Sequence, residues 1–110
     1  LSGAWLRTRI LIGWDSVAGN EFGTAVRFAS GGSDVIVGAP NRSVYRGAAY
    51  VFDSAGGWQQ LAELTGSDSV VGASFGISIA LDGAGTLALV GAPRGSKSAP
   101  NGSAYLFSPA

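Results

Sequence analysis

The chain has 110 residues, in which 7 Lys and Arg balance 7 Asp and Glu, with 18 Gly, 46% hydrophobic residues and only 13% charged ones. This balance supplies no net field to hold nucleic acid or an anionic membrane surface, and the apolar content argues against disorder. Cys and His are both absent, which removes disulfides, sulfur or imidazole metal sites, thiol nucleophiles and His-based triads; no run of about 18 apolar residues offers a helical membrane span.

The first predicted element is a strand over residues 5–11, opening on Trp5. Its continuation, Ile10, Ile12 and Trp14, is more apolar than the matching stretch later in the chain, which has Glu63, Thr65 and Ser67. Apolar strand residues are usually buried, so these read first as local repacking or a subunit contact, and second as a ligand shelf on which Trp14 stacks. The next strand spans 22–28, where Phe22, Thr24, Val26 and Phe28 alternate with Gly23, Ala25 and Arg27. One face is bulky and the other small, as suits a sheet stacked between two others. Gly31 and Gly32 supply a hairpin turn into a strand over 34–38, which Pro40 stops. A further strand over 48–52 ends at Asp53, and Gly56 and Gly57 turn the chain into another over 58–64.

The whole order then returns. Trp58 falls on Trp5, Asp68 on Asp15, Phe75-Gly76 on Phe22-Gly23, and Gly91-Ala92-Pro93 on Gly38-Ala39-Pro40, each 53 residues on. Beyond the proline the offset becomes 55, so that Tyr105 and Phe107 fall on Tyr50 and Phe52. The extra length lies in a loop, where insertions are tolerated. Strands are accordingly expected over 75–81, 86–91 and 103–107, the first with Phe75, Ile77, Ile79 and Leu81 on one face. Each unit comprises about four antiparallel strands, the make-up of a propeller blade.

With Phe22-Gly23 and Gly38-Ala39-Pro40 in one copy and Phe75-Gly76 and Gly91-Ala92-Pro93 in the other, the sequence resembles the FG-GAP repeat family, in the bacterial form of a repeat that also builds the head of integrin α subunits. The resemblance implies an all-β fold of two four-stranded antiparallel propeller blades, circularly offset: repeat 1 over 1–57 and repeat 2 over 58–110. It implies an integrin-like, extracellular or cell-surface setting and a role in adhesion. Many members bind calcium in the hairpin between strands one and two; here that hairpin offers only Asp34 or Asp82, so no metal and no cofactor are expected.

Two blades cannot close a ring of roughly four to eight, so the expected state is a homo-oligomer completed by strand exchange, with residues 5–11 pairing beside the strand that ends at Phe107. A trimer giving six blades is favoured, and a tetramer giving eight is the alternative. No catalytic residues are expected: the acids are scattered, and Ser or Thr nucleophiles lack a His partner. Specificity is expected where the copies differ, at Trp14 and in the loops after each Gly-Ala-Pro, with Arg42, Tyr45, Arg46, Arg94 and Lys97 as ligand-binding candidates. These loops carry four of the seven basic residues, but Asp15, Glu21 and Asp68 nearby offset the charge. The expected ligand is a protein, or alternatively a glycan bound by a multivalent lectin; a self-assembling fragment without its own ligand is the third reading.

Overall fold

The computed structural model describes residues 5–13, 20–29, 31–41, 47–66, 72–84, 86–94 and 101–108. Two antiparallel meanders are built from them. The first runs β1 (Ala25–Phe28), β2 (Asp34–Ala39), β3 (Ala48–Asp53) and β4 (Gln59–Leu64), paired in that order; the second runs β5 (Ser78–Leu81), β6 (Ala88–Ala92) and β7 (Ser103–Phe107). The central strands β2 and β3 form where the chain is densest in Val, Ile, Tyr and Phe, which suit a buried pleated surface. Their register pairs Val35 with Phe52, Val37 with Tyr50 and Ala39 with Ala48. In the second sheet Ala88 opposes Phe107, Val90 opposes Tyr105 and Ala92 opposes Ser103. The two sheets therefore repeat each other pair by pair.

Turn chemistry sets the joints. Asp53 caps a short 3-10 helix, Ser54–Gly56, by accepting from the Ala55 N–H at 2.7 Å, and Gly57 follows in the left-handed region. Trp58 is left-handed as well, at φ 67°, so β4 begins one residue after it. At the β5–β6 hairpin, Asp82 Oδ1 accepts from Thr86 N–H at 2.6 Å and Leu87 N–H at 2.8 Å. That turn holds residues 86 and 87, and β6 starts at Ala88 rather than at 86.

The first strand of each sheet also starts later than its alternation suggests. Phe22-Gly23 and Phe75-Gly76 lie in turns ahead of β1 and β5, because Gly23 and Gly76 both sit at φ 99° and the residues two before them, Glu21 and Ser74, at 58° and 59°. Thr24 N–H closes on the Glu21 carbonyl and Ile77 N–H on that of Ser74, both at 3.1 Å, with the positive φ at the third turn position that only Gly takes freely. Residues 5–13 differ more: they form no strand. In a single chain their expected ladder partner is not beside them, and they lie instead against the outer face of the first sheet through Leu11.

Two apolar layers result. One lies between the sheets and joins Ile36, Ala49 and Val51 to Phe75, Ile79, Ala88 and Val90, with Leu64, Tyr105 and Phe107 packed at its margin. The other covers the far face of the first sheet and joins Val35, Val37, Tyr50 and Phe52, flanked by Leu11, Phe22 and Trp58. Phe22, Val35, Val37, Tyr50 and Phe52 of the second layer are the repeat partners of Phe75, Ala88, Val90, Tyr105 and Phe107 of the first.

Candidate functional site

The doubled motif has a structural meaning at one end of the sheets. In each copy the Gly of Phe-Gly donates its N–H to the Gly carbonyl of Gly-Ala-Pro at 3.0 Å, Gly23 to Gly38 and Gly76 to Gly91. The residue after the proline then donates back across the same turn, Asn41 to the Asn20 carbonyl at 3.2 Å and Arg94 to the Ala73 carbonyl at 3.3 Å. Each Phe meets both rings of its Tyr-x-Phe strand edge-on. Phe22 lies 5.4 Å from Tyr50 and 6.1 Å from Phe52, and Phe75 lies 5.2 Å from Tyr105 and 6.0 Å from Phe107. Such edge contacts add to burial.

Glycine lets the two sheets touch through backbone. A Cβ at Gly38 would run into the Gly76 carbonyl oxygen, one at Gly47 into the Phe75 backbone, and one at Gly76 into the Ala48 carbonyl oxygen. Gly47 and Phe75 are joined by a parallel bridge. A Cβ at Gly66 would come within 2.8 Å of the Tyr105 ring, so the exit of β4 seats on the second sheet.

The described residues Asn20, Asn41, Gly47, Gly66, Gly72, Arg94 and Asn101 lie at the end where β1 and β5 begin and β2 and β6 finish. Of the ligand candidates, only Arg94 is described: it is exposed, with its main chain pinned to Ala73. Trp14, Arg42, Tyr45, Arg46 and Lys97 lie outside the described residues. Ile10 and Ile12 are exposed, whereas Trp58 is half-buried with its ring 6.4 Å from Phe28, a framework contact; Trp5 is exposed.

The acidic hairpins sit at the opposite end. Hydrogen bonds from the Leu87 main chain and then from Thr86 hold the Asp82 carboxyl below the usual carboxylate range. Burial first, and then the charge of Asp53 facing it across the ladder, pushes Asp34 up. Among the described residues no three acidic, His or Cys side chains converge on a point that would hold a metal ion.

An apolar crevice of about 260 Å³ lies where the two sheets part, lined by Leu61, Ala62, Leu64, Leu81, Ala88 and Phe107 among others. Sequence reasoning did not single it out. A smaller one of about 190 Å³ is lined by Thr8, Arg9, Leu11, Phe28 and Val35 with Trp58. The first five are the repeat partners of Leu61, Ala62, Leu64, Leu81 and Ala88. The offset of 53 is thus visible in a cavity as well as in the sequence.

Paired meanders stacked face to face through glycine, each closed by the same turn, define a repeat protein built of propeller-type blades. Residues 58–107 match the FG-GAP repeat, and this segment is an FG-GAP repeat. No curated protein matches the chain.

Proposed function

We propose that the chain is a non-enzymatic propeller scaffold for binding and adhesion, outside the cell or at its surface, whose blades close into a ring with further copies and whose ligand is a protein. Three copies give six blades. The single observation that supports the reading is that each copy makes the same two hydrogen bonds at the end where the residues flanking the two loops after Gly-Ala-Pro lie, Asn41 and Gly47 in one copy and Arg94 and Asn101 in the other. A rigid frame with divergent loops is how binding folds separate stability from specificity. Arg42, Tyr45, Arg46, Arg94 and Lys97, with Trp14, are the contacts proposed for that ligand; Arg and aromatic side chains are the commonest anchors of protein interfaces.

The test compares the chain with an Arg42→Ala/Tyr45→Ala/Arg94→Ala variant in capture from an extracellular-matrix protein preparation, alongside a glycan array. The expected result is a captured protein that the variant loses and no array signal. An array signal lost on Trp14→Ala or Tyr45→Ala replaces this reading with a lectin, and capture that is indifferent to the loop variant overturns it.

A further inference from the structure

The intact sheet-to-sheet contact inside the chain shows what each blade face requires, and two faces are left without it. In that contact Ile36 and Val51 of the first sheet are 0% and 9% exposed beneath the second. Their repeat partners in the second sheet, Leu89 and Leu106, are 47% and 68% exposed. On the opposing side Ile79 of β5 is 8% exposed, yet its partner Val26 in β1 is 51% exposed and the neighbouring Phe28 is 66% exposed. Glycine tells the same story. Gly76 is pressed against the Ala48 and Ala39 backbone, while Gly23, with the same φ of 99°, has open space around the position of a Cβ. The chain therefore carries one uncovered copy of each half of an interface that it also contains in assembled form.

From this we propose that the second sheet of one chain packs head to tail on the first sheet of a second copy, with Leu89 and Leu106 covering Val26 and Phe28, and with Gly91 and Gly102 meeting the Phe22-Gly23 turn. The two surfaces differ, so the contact is heterologous and each chain offers one of each kind, which closes into a ring when the rotation permits. This inference rests on the propeller reading and gives its ring a residue-level joint.

The N-terminal segment extends the joint. Leu11 seats on the first sheet as Leu64 seats on the second, and Thr8, Arg9 and Leu11 line one crevice as Leu61, Ala62 and Leu64 line the other. Residues 6–11 thus already hold the packing position of β4, and β7 has no strand on its outer edge among the described residues. Carrying over the β3–β4 register, Ala49 with Leu64 and Val51 with Ala62, sets Ala104 of one copy against Leu11 of the other and Leu106 against Arg9. A strand edge without a neighbour and a segment without a ladder partner together favour strand addition between copies.

Sedimentation velocity on the chain and on two exposed-face variants, Leu106→Asp and Val26→Asp, tests the joint. Expected are about 33 kDa for the native chain, three times 11.0 kDa, and the single-chain mass for each variant alone. Mixing the two variants restores one intact interface and gives about 22 kDa, twice the chain mass, an outcome that only a heterologous contact produces. A native chain that stays monomeric at high micromolar concentration, or a mixture that does not dimerise, overturns the proposal. Should either variant lose its β circular dichroism, the Arg9→Cys/Leu106→Cys double variant provides an independent check. With no native Cys, oxidation must join chains into covalent multimers that single-cysteine controls do not form, and its failure to do so also overturns the proposal. A monomer whose loops still capture ligand removes this inference and the ring but leaves the ligand reading, whereas an assembly with loop-indifferent capture removes the ligand reading alone.

Discussion

Gly38 and Gly91 occupy the same place in the repeat and have different neighbours. A side chain at Gly38 meets the Gly76 carbonyl, which is fixed in the turn before β5, whereas at Gly91 it meets the Ser78 hydroxyl, which can rotate away. Gly38→Ala is therefore expected to destabilise the chain by about 2 kcal/mol or more, in the range of core overpacking, and Gly91→Ala by under about 1 kcal/mol. Urea denaturation of the two variants measures the difference. The carboxylates give a second contrast. Asp82 is held low in the fold, so its contribution is present above its unfolded pKa near 3.8 and is lost as the pH falls through the folded value. Asp34 is held high, so its ionisation opposes folding as the pH rises through its folded value. Thermal melts should show Asp82→Asn lowering the midpoint near neutral pH and Asp34→Asn raising it slightly, with both differences shrinking at about pH 3. The Asp34 effect is small because the group is only half-buried and solvent screens its charge.

Phe75 ties the turn before β5 to both aromatic residues of β7. It is fully buried against Tyr105 and Phe107 between the sheets, while Phe22, its repeat partner, is half-buried at the edge of the other layer. Truncating Phe75 to Ala is expected to cost about 3–5 kcal/mol, and truncating Phe22 about half as much; denaturant midpoints with unchanged slopes would establish both. The strands themselves were largely legible. Val-rich β2 and the two Tyr-x-Phe strands, β3 and β7, lie within one residue of where the alternation and the prolines put them. The starts of β1 and β5 were not legible, because a Gly in an alternating pattern reads as a small strand residue. Nothing local betrays that Gly23 and Gly76 are at positive φ, and only the hydrogen bond to the Gly-Ala-Pro carbonyl, a contact distant in sequence, decides it. The same holds for β6, delayed to Ala88 by the grip of Asp82 on two N–H groups.

For the whole molecule, the repeat announced both the stacking of two sheets and the phase of the segments within it. The expected strand over 5–11 is absent because strand character belongs to a pair, and its packing position survives without the ladder. The binding candidates fall where the copies disagree; of these the structure places Arg94 on an exposed, anchored turn, and it places the residues flanking the two loops after Gly-Ala-Pro at one end. The opposite charges along those stretches carried no pattern from which a geometry could be read. Apolar crevices at the seams went unpredicted, since they are made by residues far apart in the chain that alternation assigns to separate strands.

The contact between Gly38 and Gly76 is made by main chain on main chain, so it asks almost nothing of the side chains around it. A gene segment encoding one such unit, copied in frame, yields a daughter that already fits its parent before any substitution has occurred. Growth by duplication is then limited by how the array ends rather than by how its members meet.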